Sequence, residues 1–201
     1  MKTQLHAAMA AASMLALGAC TSMMPMNDAE RATTTTPFSG EQSVTVGGAA
    51  MYPSRNIIQN AMNSRDHTTL VAAVQSAGLV ETLSGPGPFT VFAPTNAAFD
   101  RLPAGTVETL VMPANRAALT RILTYHVVSG RLSAADIMQR IQAGGGTARL
   151  TTVQGGVLTA SMMGNRIMLT DAMGGVSHVT IGDVFQSNGV IHVTDAVSMP
   201  G

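Results

Sequence analysis

The chain has 201 residues, with 11 Lys plus Arg against 11 Asp plus Glu and aromatic residues at only 3%. With no run of basic residues and few rings to stack on bases, it lacks the footprint of a nucleic-acid binder. Its single cysteine, Cys20, excludes an internal disulfide and a cysteine-ligated metal cluster.

Residues 1–19 read as an export signal. Lys2 supplies the charged start, and the apolar stretch from Ala7 to Ala19 is too short for a membrane-spanning helix. The stretch ends in "LGAC", which resembles the bacterial lipobox, where the cysteine thiol is acylated and becomes the new N-terminus. By that resemblance, Thr21 rather than Asp after Cys20 favours the outer membrane. The expectation is an exported lipoprotein of the cell envelope, facing the periplasm or the cell surface, with the bilayer held through Cys20. No second apolar stretch is long enough to span a membrane.

Residues 20–50 read as a tether. The threonine run 33–36, Pro37, Ser39 and Gly40 carry no period that could bury a face, although "VTVGG" could add a short edge strand. Residues 51–201 are one domain's worth of chain.

In chain order, Ser54 is placed to cap a helix with Ile57, Ile58, Ala61 and Met62 on one face. Asp66 is placed to cap a second, with Leu70, Ala73, Val74 and Ala77 in a stripe closed by Gly78. "GPGPFTVFAPT" gives a turn, a buried strand from Phe89 to Ala93 and a stop at Pro94, with Thr95 capping "NAAFDRL". A longer helix follows Pro113, and Ser133 with Asp136 forms a capping box for another, ending in glycines 144–146. Strands then alternate with turns at Gly155–Gly156, Gly164–Asn165 and Asn188–Gly189. Helices followed by strands predict an α+β fold.

One stretch, "ILTYHVVSG" (122–130), decides whether the chain reads as an enzyme. On the helix after Pro113, Leu119, Ile122, Leu123 and His126 stand at i, i+3, i+4 and i+7, so His126 points into the core with the leucines. A buried imidazole needs hydrogen-bond partners, and backbone groups or strand side chains are the expected ones. Tyr125 lies about 100° round the helix, so the two rings need not share a pocket.

Three boxes in order, "FTVFAPTNAAF" (89–99), "LTYHVV" (123–128) and "NGVIHVTDAV" (188–197), give the chain a strong resemblance to the fasciclin-like domain family. It spans about residues 54–200 as a single copy. The fold it implies is a wedge of β-strands with helices packed at one side, and the function is adhesion or extracellular binding. It implies neither an enzyme nor a cofactor. The partner is an unidentified cell-surface protein or glycan, met by a monomer. Thr90, Phe92, Pro94, Thr95, Asn96 and Phe99 match the first box, and their expected roles are strand core, turn and cap. Gly189, Ile191, His192 and Asp195 match the last. Tyr125 and His126 match a box implicated in adhesion in animal members. Asp183, Val184 and Phe185 occupy the place of an Asp-plus-aliphatic-pair adhesion motif, with Phe185 replacing Leu or Met and Ile181–Gly182 an unusual lead-in. These five are the candidate partner-binding residues. The plain alternative for Asp183 is a solvated loop carboxylate, which removal would hardly destabilise.

No G-x-S-x-G elbow, phosphate loop or dinucleotide fingerprint is present, so no residue is assigned a catalytic role. His178, His192, Asp171 and Asp195 lack close ligand spacing, and no metal is assigned to them. The fifteen methionines include Met23, Met24 and Met26 after the lipid site and Met162, Met163, Met168 and Met173 among the strands. Thioethers hold Cu(I), which makes periplasmic copper or small-molecule binding the alternative function. The plain reading is that they fill gaps in the core.

Overall fold

The computed structural model describes residues 42–201. The export signal, Cys20, Met23, Met24, Met26 and the first part of the tether lie outside the described residues. The elements follow in chain order as β1 (Val44–Val46), β2 (Ala49–Met51), α1 (Ile57–Ala61), α2 (Thr68–Ala77), α3 (Val80–Ser84), β3 (Phe89–Pro94), α4 (Asn96–Phe99), α5 (Thr106–Leu110) and α6 (Arg116–Tyr125). After them come β4 (Val127–Ser129), α7 (Ala134–Ala143), β5 (Thr147–Thr151), β6 (Val157–Met163), β7 (Arg166–Thr170), β8 (Val176–Gln186) and β9 (Gly189–Thr194). This is the α+β architecture.

Seven strands form one sheet in the order β4-β3-β9-β8-β7-β6-β5. The β3–β9 pairing is parallel and the others are antiparallel. A bridge between Val128 and Thr152, with the Val153 N–H donating to the Val127 carbonyl at 2.7 Å, brings the two edges together and nearly closes the sheet. Near-closure removes most of the unpaired strand edge that would otherwise invite aggregation.

The core lies on both faces. Helices α1, α2 and α6 pack Ile57, Leu70, Val74, Leu119 and Leu123 against Val91, Val127, Ile191 and Val193. Inside the curl of the sheet, Ile137 and Ile141 of α7 meet Phe92, Leu150, Leu158 and Leu169. β1 and β2 form a separate hairpin whose Val46 and Met51 are buried in the first cluster. Part of the stretch read as tether, residues 44–50, thus carries a strand pair packed on the domain, because Val46 has apolar surface to bury.

Several caps sit where expected. Thr95 accepts the Ala98 N–H, Ser133 and Asp136 form the reciprocal box, and Gly78, at φ 74°, closes α2. The Gly78 and Leu79 N–H groups bond back to Gln75 and Val74, a Schellman arrangement. Two expected caps are displaced. Asn56, not Ser54, caps α1, in a box with Gln59. Asp66 falls in a 3-10 turn, Arg65–His67, and the first free N–H groups of α2 look elsewhere: Asn96 Oδ1 accepts the Thr69 N–H at 3.0 Å. That cap comes from 27 residues away, beyond any local pattern.

Candidate functional site

The helix before the Tyr125–His126 pair ends one residue earlier than its apolar stripe suggests. α6 stops at Tyr125, and His126 is its C-cap, still buried at 3% exposure. Its Nδ1 lies 2.9 Å from the Ile122 carbonyl, and the Ser198 N–H donates to Nε2 at 3.0 Å. A carbonyl only accepts, so the ring proton is on Nδ1 and the imidazole is neutral. Burial holds its pKa below the usual histidine range, against the raising effects of the Ile122 hydrogen bond and nearby Asp171. His126 thus ties the end of α6 to the C-terminal segment.

Tyr125 is completely buried in the other cluster, inside the curl. Its hydroxyl donates to the Val157 carbonyl at 2.7 Å and accepts the Ala172 N–H at 3.0 Å. Burial raises its pKa above the ordinary tyrosine value, partly offset by the Ala172 hydrogen bond. The adjacent rings serve two different cores, and neither offers surface to a partner.

Asp183 is not in a loop. β8 runs through it, and register shifts between Val179, Ile181 and Val184 leave Gly182 and Asp183 as a bulge opposite His192. Asp183 takes a left-handed φ of 57°, a conformation Asp tolerates better than most residues. Its carboxylate accepts the Ala134 N–H at 2.7 Å, at the start of α7, and its own N–H donates to His192 Nδ1 at 3.3 Å. The free, solvated carboxylate is thereby corrected: Asp183 has a partner at a helix N-terminus, where the dipole favours negative charge. Val184 is fully buried in the helix-side core. Of the five candidate contact residues, only Phe185 displays a large side chain, at 39% exposure, and buried Val184 and Gln186 flank it.

The first and last boxes form the frame. Thr90 donates to the Gly130 carbonyl and accepts the Leu132 N–H, fixing the turn after β4. Pro94 ends β3, Phe99 is buried, and Asn96 also bonds Arg65 and Thr68. Phe92 stacks on His192, its register partner, with centroids 5.6 Å apart. His192 Nε2 donates to the Leu132 carbonyl at 2.8 Å, which leaves Nδ1 free to accept from Asp183. Burial lowers its pKa, with the Leu132 hydrogen bond and Asp183 acting the other way. Ile191 is core, and a Cβ on Gly189 would lie 2.1 Å from the Phe89 carbonyl. Asp195 accepts the His178 N–H at 2.7 Å and faces its ring Nδ1 at 3.2 Å, while Arg101 donates to the Asp195 carbonyl.

A mostly apolar cavity of about 40 Å³ lies between helices and sheet, with His67 and His126 on its wall. That leaves room for little more than water, far short of the roughly 300–1,000 Å³ of small-molecule sites. The methionines divide: Met51 is buried and Met138 and Met162 pack against the core, as gap-filling expects, whereas Met62, Met112, Met163 and Met173 are more than half exposed. Among the described residues, no group of three His, Cys, Asp or Glu is arranged to hold a metal. No described helix is long and apolar enough to cross a membrane.

The sequence profile of the Fasciclin domain matches residues 65–200. Protein sll1483 of Synechocystis sp. is 43% identical over 160 residues, covering 80% of this chain and 82% of that one. Immunogenic protein MPB70 of Mycobacterium bovis is 39% identical over 145 residues, covering 70% and 66%. The cell surface glycolipoprotein MPB83 of the same species is 36% identical over 160 residues, covering 77% and 64%. A solved FAS1 domain pair from the insect cell adhesion molecule Fasciclin I superposes with a TM-score of 0.64 at 16% identity, covering 77% of this chain and 57% of that one, which shows the shared fold. With the three boxes forming one frame, the chain belongs to the fasciclin domain family.

Proposed function

We propose that this protein is an adhesion-type fasciclin module that holds a protein or carbohydrate partner outside the cytoplasm, anchored to the outer membrane by acylated Cys20 and acting as a monomer. The observation that carries the reading is Phe185: an aromatic ring displayed on a strand whose neighbouring side chains, Val184 and Gln186, are locked in the interior. A rigid aromatic anchor on a pre-organised backbone is the kind of residue that dominates binding energy at interfaces. Arg131 stiffens the same strand end by donating to the Gln186 and Ser187 carbonyls. In this reading Tyr125, His126, Asp183 and Val184 hold the surface in shape and Phe185 makes the contact. The name of MPB83, a cell surface glycolipoprotein, supports the location, and that of the insect adhesion molecule supports the role.

The test uses beads coated with full-length Cys20→Ser protein, scored on a glycan array and on whole-cell surfaces. Phe185→Ser is expected to reduce retention about tenfold or more, the effect of losing roughly 1.4 kcal/mol at a hot spot, with the melting temperature unchanged. Equal retention by a folded Phe185→Ser variant refutes the assigned contact. Absence of retention on both surfaces refutes the adhesion reading. For the anchor, wild-type protein is expected in the membrane fraction and Cys20→Ser in the soluble fraction, and identical fractionation refutes lipidation.

A further inference from the structure

His178 lies on the part of β8 that pairs with β7, directly opposite Met168, and Met168 in turn stands opposite Ser161 of β6. Residues opposite one another in register leave the sheet on the same face, as do residues two apart on one strand. The face that carries His178 and Met168 therefore also carries Met163. It is the outer face, since the intervening Ile167, Leu169, Ser177 and Val179 are the buried ones. Opposite Cβ atoms, such as those of His178 and Met168, are about 5 Å apart, and diagonal neighbours, such as Met168 and Met163, about 7–8 Å. Met163 stands two strands from His178, so Met168 lies between them and the long, flexible Met163 side chain must lean over it to share a ligand.

The imidazole of His178 is already oriented. Asp195 Oδ1 holds its backbone N–H at 2.7 Å, and Asp195 Oδ2 lies 3.2 Å from Nδ1. With a carboxylate as acceptor, the proton of the neutral ring is on Nδ1 and the lone pair on Nε2. That Nε2 is buried and has no hydrogen-bond partner among the described residues. A buried lone pair without a donor is unfavourable, and a cation satisfies it. A carboxylate holding the far nitrogen of a histidine is also the arrangement that fixes tautomer and direction in metal-ligating imidazoles.

Two further observations narrow the ion. Met163 is 57% exposed, so packing does not account for an apolar side chain at that position. The donors gathered on this face are one imidazole nitrogen and two thioethers, and Arg166, opposite Met163, adds positive charge. Soft donors select Cu(I) over Zn(II), Mg(II) or Ca(II), and a monovalent ion suffers less repulsion from Arg166. We propose that His178 Nε2, with the thioethers of Met168 and Met163, forms a Cu(I) site on the outer face of the sheet, with Asp195 as its positioning residue. It is independent of the Phe185 contact.

The experiment titrates full-length Cys20→Ser protein, which removes the competing thiol, with Cu(I) under anaerobic conditions against a chromogenic chelator. One equivalent is expected to bind. His178→Gln and the volume-conserving Met168→Leu are each expected to weaken binding by at least about tenfold, the scale set by ligand-shell changes. Replacing Met23, Met24 and Met26 with Leu is expected to leave the affinity unchanged. With Ag(I) as a redox-inert probe, the ε-methyl resonances of Met163 and Met168 are expected to shift. Thermal melts on each variant separate lost ligation from lost folding. Absence of saturable binding, binding that survives His178→Gln, binding abolished by the triple Met→Leu change, or displacement of Cu(I) by equimolar Zn(II) each overturns the proposal.

Discussion

The N–H of Asp183 donates to Nδ1 of His192 from a left-handed bulge on the neighbouring strand, and the same aspartate's carboxylate takes the Ala134 N–H at the start of α7. Two residues of the family's motif region are thus one clasp, joining β8, β9 and α7. The consequence is that a change at Asp183 perturbs the fold before it perturbs any partner.

Asp183→Ala is expected to cost about 1–3 kcal/mol, because the Ala134 N–H loses its acceptor and alanine is forced to positive φ. This exceeds the near-neutral effect expected of a solvated carboxylate. Asp183→Asn, which keeps an oxygen acceptor and tolerates the left-handed conformation, is expected to retain most of the stability. Urea denaturation of both variants decides it; equal stability of Asp183→Ala and wild type would remove the clasp.

His126→Ala removes both the Ile122 and the Ser198 hydrogen bonds and opens a gap beside Leu123 and Val127. A loss of about 2–4 kcal/mol is expected. Amide exchange should show the end of α6 and the segment around Ser198 deprotecting together. If only one of them changes, His126 does not couple them.

Acid should destabilise the protein through its buried histidines. Burial lowers the pKa of His67, His126 and His192, so their rings are neutral in the fold, whereas unfolded histidines protonate near pH ~6.5. Between those folded values and about pH 6.5 the unfolded chain binds more protons. Stability is therefore full above that pH and falls as pH drops toward the folded values, by up to about 1.4 kcal/mol per pH unit for each ring. Melting temperatures from pH 8 to pH 5 should decline once pH is below about 6.5, and less steeply in a folded His192→Gln variant. A flat profile contradicts the assigned neutral tautomers.

Two glycines separate steric need from conformational need. A Cβ on Gly189 meets the Phe89 backbone carbonyl at 2.1 Å, so Gly189→Ala must push β9 from β3, at a cost of about 1–3 kcal/mol or more. Gly164, at φ 63°, has open space around it, and Gly164→Ala should cost only the roughly 1–2 kcal/mol of left-handed strain. Comparable unfolding free energies with a β3–β9 pairing undisturbed by amide exchange would count against the close approach.

Local signals carried a large part of this fold. Thr95, the Ser133–Asp136 box and Gly78 mark their helix ends in the primary structure because capping bonds span only three to five residues. The apolar stripe through Leu119 and Leu123 likewise placed His126 in the interior, since helical period alone decides which side chains share a face. Resemblance in the three boxes supplied the family. The tertiary structure decided what no local period encodes. Asn96, not Asp66, serves the start of α2 because the free N–H of Thr69 is met by the side chain at the start of α4, 27 residues away. Val128 reads as part of an apolar run, and it is the bridge to Thr152 that makes β4 an edge nearly closing the sheet. Around Asp183, strand alternation failed because a bulge shifts the side chains that follow it, burying Val184, exposing Phe185 and turning the presumed contact aspartate into a clasp. Such assignments depend on which backbone N–H groups are left unpaired once the strands and helices meet, and that is settled only when the whole chain has packed.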